Sequence, residues 1–385
     1  MGVLASEGRN RGCEESAELV SKKTEGDRLG MLLDSSTVAA MRKKFGVSML
    51  VRASELRAEK LPRIPSGVFT LDRALGGGWA VGRVHIVFGH KSSGKTTLLK
   101  RTIGQAQKMC ASCHKFQEVC ECKNKRDFLC AFVDIEGTFD PYWAKQLGVD
   151  LDTLLLSRPE YAEQGLDVAE ALLRSGECDL LVLDSIAFLT PLKEIQESTE
   201  QETMGQQPRL VGKGIRKLNS ALIAAENEVG RKPTLFFTNQ IRMKLGVMFG
   251  NPETTPGGFA PGFAASTEVK LRPGKYEMDK ESGTPEHVDF YFKVEKNKTG
   301  VPKMEGEFRM MLCETQTKSV GDIYDEKFIM DEAQRLGVVR KAEEGGGWEC
   351  LGEKFRIKKD IEDRILSEPE FKRVVIRGIL GIVEL

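Results

Sequence analysis

The sequence has neither a net charge nor a long hydrophobic run. Its 385 residues include 57 Lys and Arg against 57 Asp and Glu, so any nucleic-acid contact must come from local basic patches and not from overall charge. No apolar stretch approaches the roughly 20 residues that are needed to cross a membrane. The first residues also lack the apolar segment of a signal peptide. These absences predict a cytoplasmic protein without a membrane partner.

Internal repeats are not evident either, and the length suggests about two or three domains. Residues 1–33 are polar and show no periodicity, which is typical of a disordered tail. Residues 34–55 indicate a capped helix followed by a short strand, and the apolar stripe of this helix needs a partner surface. We expect a main domain over 56–318 and a small C-terminal α/β domain over 319–385.

The stretch GHKSSGKT, residues 89–96, fits the phosphate-binding pattern G-x-x-x-x-G-K-[ST]. Glycines at this spacing let backbone N–H groups surround a polyphosphate, while Lys95 can reach the β- and γ-phosphates and the Thr96 hydroxyl can bind Mg²⁺. A glycine-rich surface turn is the alternative. The apolar run 81–89 and the helical pattern 96–109 favour a nucleotide site, because they aim a helix N-terminus at the anion. The predicted nucleotide contacts in this loop are Gly89, Ser92, Ser93, Gly94, Lys95, Thr96 and Thr97.

Strands and helices alternate through the main domain. Apolar runs that end in polar residues lie at 127–134, 179–185 and 233–240, with helical patterns between them at 138–148, 163–175 and 209–228. This order predicts an α/β fold with a mostly parallel central sheet, helices on both faces, and the chemistry at the carboxyl ends of the strands. Three later runs, joined by short turns and predicted to add antiparallel strands at one edge, lie at 266–272, 287–296 and 305–312.

Three polar residues stand where predicted parallel strands end. Asp184 is the acidic residue expected to hold a Mg²⁺-bound water beside Thr96. Glu136 lies at a neighbouring strand end, where it can orient and deprotonate a water that attacks the γ-phosphate. Gln240 closes a third strand, and an amide there can sense the γ-phosphate and transmit its presence to the segment that follows.

Four of the nine cysteines are closely spaced. CASCHKFQEVCEC places Cys110, Cys113, Cys120 and Cys122 in a C-x₂-C followed by a C-x-C, spacings that suit a tetrahedral Zn²⁺ site with His114 as a spare ligand. A redox pair or unligated thiols are the alternatives. The other five cysteines are isolated and are typical of ordinary buried thiols.

Three longer stretches together closely resemble the RecA family of recombinases. They are AFVDIEGTFDPYWAKQLGVDLD (131–152), RSGECDLLVLDSIAFLTPLKEI (174–195) and NQIRMKLGVMFGNPETTPGG (239–258). The resemblance extends from about Val38 to the C-terminus, and its third stretch is far more specific than the phosphate-binding pattern. It implies a RecA-like P-loop ATPase core in an ATP-dependent recombinase that forms a helical filament on single-stranded DNA. Such an enzyme pairs and exchanges strands with homologous double-stranded DNA and hydrolyses ATP when DNA stimulates it. A bacterial host and a phage are both compatible sources.

The resemblance makes Glu136 the catalytic glutamate and Gln240 the γ-phosphate switch, with Lys95 on the phosphates. Two other functions of the same fold remain alternatives. A hexameric helicase would lack the third stretch, 239–258. A RecA paralogue that regulates filaments would have no need to keep the complete set of hydrolytic residues, which consists of Lys95, Glu136, Asp184 and Gln240.

The resemblance also implies contacts to the base of ATP and between subunits. Trp143, where the family usually has Tyr, would stack on adenine, and Asp140 beside it is a further predicted nucleotide contact. Lys296 and Lys298 match lysines that reach the ATP of the neighbouring subunit. The helix at 34–45 resembles the family's oligomerisation helix, which packs on the adjacent protomer; a helix packed within its own chain is the alternative.

Two segments, 194–209 and 241–258, match the family's DNA-binding loops. Basic side chains can meet phosphates, methionine and leucine side chains can wedge between bases, and glycines allow close approach of the strand. Ordinary mobile loops are the alternative. The predicted DNA contacts are Met204, Arg209, Arg216, Arg242, Met243, Lys244, Leu245, Gly257 and Gly258.

The sequence departs from the family pattern at several positions. Lys91 replaces a glutamate in the P-loop, and Gly262 replaces a lysine. Gly212 and Gly214 are expected to weaken a helix. The cysteine-rich insertion at 110–122 is absent from the bacterial pattern. We expect these changes to affect the ATPase rate and its coupling to DNA more than the class of activity.

Overall fold

A computed structural model describes residues 40–41, 43–44, 61–197, 205–243, 250, 252–279, 282–315, 317–342 and 346–380. The chain forms two compact units, Met1–Lys60 and Leu61–Leu385. The described residues of the first unit are helical and exposed, and they lie within the predicted helix. The predicted tail over 1–33 and the strand that should follow the helix lie outside the described residues.

The second unit contains sixteen described strands and ten described α-helices. In chain order they are β1 (Arg63–Ile64), α1 (Phe69–Leu75), β2 (Trp79–Ala80), β3 (Val84–Gly89), α2 (Lys95–Ala106), β4 (Cys130–Asp134), α3 (Pro141–Gln146), β5 (Leu154–Ser157), α4 (Ala162–Ser175), β6 (Leu180–Asp184), α5 (Leu192–Gln196), α6 (Gln206–Ala224), β7 (Thr234–Gln240), β8 (Arg242–Met243), β9 (Glu253–Thr254), α7 (Ala260–Ala264), β10 (Thr267–Met278), β11 (Pro285–Asn297), β12 (Glu305–Met311), β13 (Ile323–Tyr324), α8 (Glu326–Arg335), β14 (Val339–Lys341), β15 (Trp348–Cys350), β16 (Glu353–Phe355), α9 (Lys358–Ser367) and α10 (Pro369–Leu380). Among the described helices, none is long and apolar enough to cross a bilayer.

A nine-stranded sheet forms the centre of this unit, in the order β13-β12-β11-β10-β3-β7-β6-β4-β5. The strands from β10 to β5 pair in parallel, and β11, β12 and β13 are added antiparallel at one edge. The predicted mostly parallel central sheet is therefore confirmed, and the runs 287–296 and 305–312 lie antiparallel at its edge as expected. The run 266–272 was also expected to be antiparallel, which is wrong, because its strand β10 pairs in parallel with β3 and is antiparallel only to β11. The outermost parallel strand, β5, was not predicted from the sequence.

Helices cover both faces of the sheet because successive strand residues point to opposite sides. On β3, Ile86 joins the apolar cluster that contains Leu166 of α4 and Leu218 of α6. The next residue, Val87, joins the opposite cluster with Ile103 of α2. Because β3, β7, β6 and β4 pair in parallel, their carboxyl ends lie along one edge of the sheet.

The glycines in α6 have a packing role. Helix α6 runs without a break from Gln206 to Ala224, although Gly212 and Gly214 were expected to weaken it. A Cβ at Gly214 would lie 2.6 Å from a methyl carbon of Leu166 on α4. The glycine therefore allows α4 and α6 to pack closely, and this contact compensates for its low helix propensity.

The C-terminal residues form a three-stranded antiparallel sheet, β14-β15-β16, with α8, α9 and α10. Their apolar cluster includes Ile329, Ile361 and Val375, and it also takes in Phe69 of α1. Residues Leu61–Leu385 count as one compact unit. The boundary between 318 and 319 therefore stays a prediction.

Candidate nucleotide and DNA site

The P-loop connects β3 to α2, so the first turn of α2 faces the loop. At Gly94 the backbone has a φ of 80°, and a Cβ there would lie 2.7 Å from the ring of Phe290. Only glycine meets both conditions without strain. The pattern found in the sequence thus coincides with a strand, a tight loop and a helix in the predicted order.

Lys95 is buried within this loop, with 8% of its surface exposed. Its Nζ donates to the His90 carbonyl at 2.8 Å and lies 3.4 Å from two other loop oxygens. Burial lowers the pKa of Lys95, while the carboxylates of Asp184 and Glu136 act in the opposite direction. The loop therefore holds a cation close to two acidic side chains.

Thr96 and Asp184 are in direct contact, although β6 lies far from the P-loop in sequence. Thr96 Oγ1 donates to Asp184 Oδ2 at 2.6 Å, and the Thr238 hydroxyl donates to the other carboxylate oxygen. Burial raises the pKa of Asp184, whereas the hydrogen bonds from Thr238 and Thr96 lower it. A hydroxyl and a carboxylate beside phosphate-binding N–H groups form an oxygen donor set that fits Mg²⁺.

Glu136 follows β4 and lies beside the same edge. Its Oε1 accepts hydrogen bonds from Ser185 Oγ at 2.7 Å and from Gln240 Nε2 at 3.3 Å. Asp134 orders the turn that contains Glu136, because its carboxylate accepts the backbone N–H groups of Thr138 at 3.1 Å and of Phe139 at 2.9 Å. The backbone N–H of Glu136 also donates to the Asp184 carbonyl at 3.2 Å. Three predicted site residues from three strand ends are thus brought together.

Sequence reasoning missed two hydroxyl residues of this group. Thr238 lies two residues before Gln240 on β7, so the strand period places both on the same face. That signal was available in the sequence. Ser185 lies just beyond β6, where strand periodicity no longer applies, and only the fold shows that its hydroxyl reaches Glu136.

The predicted DNA residues of the first segment lie on α6. Arg209 and Arg216 are exposed, and Lys213, which was not predicted, is exposed between them at helical spacing. Lys217 is ion-paired with Glu170 at 2.7 Å, whereas within the described part of the chain no ion pair involves the other three. We call Arg209, Lys213 and Arg216 the basic stripe. Met204 lies outside the described residues.

The second segment begins as a hairpin formed by β8 and β9. Arg242 and Met243 are exposed on β8, and Met243 pairs with Glu253 across the hairpin. Lys244 and Leu245 lie outside the described residues. The two glycines after the hairpin differ in their surroundings.

At Gly257 the backbone has a φ of 89°, and a Cβ would lie 2.9 Å from Val211 and 3.0 Å from Ile186. Its lack of a side chain is therefore explained by packing within the chain. A Cβ at Gly258 would meet no described atom within 4 Å. Of the two, Gly258 is the one that no described neighbour crowds, and its φ of 69° itself favours glycine.

Comparisons with known proteins agree with this geometry. The family model described as the RecA N-terminal domain matches residues 33–316. The protein RecA of Aquifex pyrophilus is 35% identical over 352 residues, which cover 90% of this chain and 91% of that protein. The RecA proteins of Chloroflexus aurantiacus, strain J-10-fl, and Ruminococcus albus are 37% and 38% identical, covering 83% and 81% of this chain and 82% and 70% of their own.

The chain belongs to the RecA family. RecA-family recombinases are DNA-dependent ATPases, and the chain is accordingly an ATP-dependent DNA recombinase. The family match includes the P-loop and the strand ends that hold Asp184, Glu136 and Gln240. RecA, rather than a hexameric helicase or a regulatory paralogue, is thus the main interpretation of this sequence.

Four further residues predicted from the RecA resemblance lie at separate places. Asp140 is exposed and caps α3, where its carboxylate accepts the Trp143 N–H at 3.2 Å, and the Trp143 ring packs against the sheet cluster. Lys296 donates to the Gly262 carbonyl at 2.6 Å, and Lys298 is exposed at the end of β11. None of these contacts tests the roles that the resemblance implies.

The four clustered cysteines of this RecA-family chain meet in space. The Sγ atoms of Cys110, Cys113, Cys120 and Cys122 all lie within 4.8 Å of one another. Burial acts to raise the pKa of Cys110, but hydrogen bonds from backbone N–H groups, including that of Cys113, bring it down to about 6. His114 is not in this group, and its ring packs against Phe128.

Proposed function

We propose that the chain assembles in the cytoplasm as a helical filament on single-stranded DNA and pairs this strand with homologous double-stranded DNA. The observation that carries this proposal is the 3.3 Å contact between Gln240 Nε2 and Glu136 Oε1. Gln240 ends the strand that leads into the β8–β9 hairpin. The carboxylate proposed to activate water and the segment proposed to contact DNA are thus connected by one residue, which supports DNA-stimulated hydrolysis of ATP.

The roles of the nucleotide-site residues follow from their contacts. Lys95 and the backbone N–H groups of the P-loop bind the phosphates, and Thr96 and Asp184 hold Mg²⁺. A Mg²⁺ ion held by these two residues would neutralise charge that develops on the phosphate oxygens. Glu136 orients the attacking water and takes its proton. Gln240 reports the γ-phosphate to the hairpin.

The remaining nucleotide contacts explain why the site would be complete only in a polymer. Trp143 has a half-buried ring, and Asp140 precedes it at the start of α3. The proposed role of this ring is to stack on the adenine of ATP. Lys296 and Lys298 are proposed to reach the ATP bound by the adjacent protomer. ATP would then stabilise the contact between protomers, and its hydrolysis would weaken that contact.

The basic stripe on α6 is the proposed path of the DNA backbone, together with Arg242. Three exposed cations at helical spacing can each neutralise a phosphate and release counterions. Lys213 extends this surface beyond the two arginines identified from the sequence. Met243, which is 57% exposed, is suited to wedge between bases.

Negative-stain electron microscopy tests the proposed assembly. With single-stranded DNA and a slowly hydrolysed ATP analogue, we expect helical filaments whose length follows that of the DNA. Samples without nucleotide serve as the control and should not form them. Closed rings would instead support the hexameric helicase, and the absence of any polymer would support a regulatory paralogue.

We further propose that the four clustered thiols bind Zn²⁺. Four Sγ atoms within 4.8 Å of one another fit a tetrahedral structural site. N–H donors directed at the Cys110 sulfur favour its thiolate form, which is the form that binds metal. The insertion also contacts α10, where Arg373 Nη1 donates to Glu118 at 2.6 and 2.7 Å. Zinc would stabilise the insertion and, through this contact, the C-terminal helices.

Metal analysis of the purified chain is expected to give about one Zn²⁺ per chain. The Cys113→Ser, Cys120→Ser double variant should lose the metal, and hydrogen exchange should rise over the insertion and over α10. Cys313→Ser is the control, because Cys313 is half-buried like Cys113 but lies outside the cluster. Zinc-free wild-type protein whose four clustered thiols titrate freely would contradict the proposal.

A further inference from the structure

Glu253, on β9, lies between the P-loop and strand β10. Its carboxylate forms an ion pair with Lys270 and approaches His90 Nε2 at 3.5 Å. The side chains of Lys270 and Glu253 are 18% and 26% exposed, so water screens this pair less than it screens a surface ion pair. His90 is the second residue of the P-loop. One carboxylate thus connects the hairpin, the P-loop and the central sheet.

Strand pairing fixes where this carboxylate lies. Glu253 pairs with Met243 of β8, and β8 follows Gln240 after a single residue. Lys270 pairs in parallel with Phe88, which is followed directly by the P-loop. Each strand of the hairpin is therefore attached to the nucleotide site, β8 through Gln240 and β9 through Glu253.

His90 also belongs to the nucleotide site through its backbone. Its carbonyl accepts a hydrogen bond from Lys95 Nζ at 2.8 Å, and Lys95 is the residue proposed to reach the phosphates. The Lys95 ammonium has three N–H donors and already faces three loop oxygens, so bonds to phosphate would compete with its bond to His90. The position of His90, and with it the contact to Glu253, then depends on the nucleotide. A contact that differs between the nucleotide-free and nucleotide-bound states is one way in which two sites become coupled.

We propose that Glu253 is a positioning residue that couples DNA binding at the β8–β9 hairpin to nucleotide binding at the P-loop, through His90 and Lys270. This inference rests on the proposed DNA contact of the hairpin. Gln240 provides one connection between the two sites, and Glu253 provides a second. Since coupling is reciprocal, DNA tightens nucleotide binding by the same factor as the nucleotide tightens DNA binding.

A ratio of two dissociation constants measures this coupling. The constant for a fluorescent, non-hydrolysable ATP analogue in the absence of oligo(dT) is divided by the constant at saturating oligo(dT). We expect Glu253→Gln to lower the ratio by about fivefold or more, because the neutral amide loses the ion pair with Lys270. Because the ratio compares the same variant with and without DNA, a change in nucleotide affinity that is common to both conditions cancels.

Glu349→Gln is the matched control for this experiment. Glu349 is ion-paired with Arg340 at 3.0 Å, and its side chain is 19% exposed, but it lies on β15 of the C-terminal sheet. The same chemical change is made there to a carboxylate of similar exposure, although its partner Arg340 is more exposed than Lys270. The ratio of constants should remain at the wild-type value.

Exchanging the two charges separates positioning from stability. Glu253→Lys combined with Lys270→Glu restores the ion pair but places an ammonium against His90, so we expect the ratio to stay low. A ratio that recovers in this double variant, or one that is unchanged in Glu253→Gln, would overturn the inference. A wild-type chain that does not bind oligo(dT) would overturn the proposed function together with it.

Discussion

Replacing Glu136 with Gln should slow ATP hydrolysis on single-stranded DNA by about 100-fold or more. The amide keeps the size of the side chain. In the wild-type chain the Ser185 hydroxyl donates a hydrogen bond to the Glu136 carboxylate at 2.7 Å, and the amide oxygen can still accept this bond. It cannot take a proton from water. Nucleotide and DNA binding should survive, because Lys95, Thr96 and Asp184 are untouched.

The filaments formed by Glu136→Gln should therefore outlast those of wild type once free ATP is removed. Fluorescence anisotropy on labelled DNA follows their dissociation. Glu349→Gln, an equivalent change on β15, should dissociate at the wild-type rate. If Glu136→Gln and wild type released DNA equally fast, Glu136 would not be the catalytic base.

The sequence was sufficient to predict contacts that follow from strand ends. Thr96 and Asp184 are 88 residues apart, yet parallel strands bring their carboxyl ends to one edge of the sheet, so the 2.6 Å contact was expected. The same argument places Glu136 beside Gln240. The short C-x₂-C and C-x-C spacings were also sufficient to predict that the four clustered cysteines meet in space.

Contacts that depend on how helices and loops pack could not be predicted in this way. Glu118 and Arg373 are 255 residues apart, and neither belongs to a pattern that links the insertion to α10. The spacing of Lys213 and Lys217 on α6 gives no indication that only Lys217 is neutralised, because its partner Glu170 comes from α4. Side-chain partners of this kind are set by tertiary packing, which a single sequence does not specify.

Replacing Lys95 with Met should weaken binding of an ATP analogue by about 10- to 150-fold, since a charged hydrogen bond to phosphate contributes roughly 1.5–3 kcal/mol. Filaments should then fail to form on single-stranded DNA, even with the slowly hydrolysed analogue. Titration of a fluorescent ATP analogue measures the first effect, and negative-stain microscopy shows the second. Normal affinity in this variant would remove Lys95 from the phosphate site.

Thermal unfolding distinguishes this loss of binding from misfolding. Burial lowers the pKa of Lys95 below its usual value, which means that the folded chain binds its proton less strongly than the unfolded chain does. At neutral pH the buried charge therefore opposes folding, and Met keeps the length of the apolar stem without that charge. We expect the Tm of nucleotide-free Lys95→Met to equal or exceed that of wild type. A lower Tm would show that Lys95 stabilises the loop itself, and the loss of nucleotide binding would then have a structural cause.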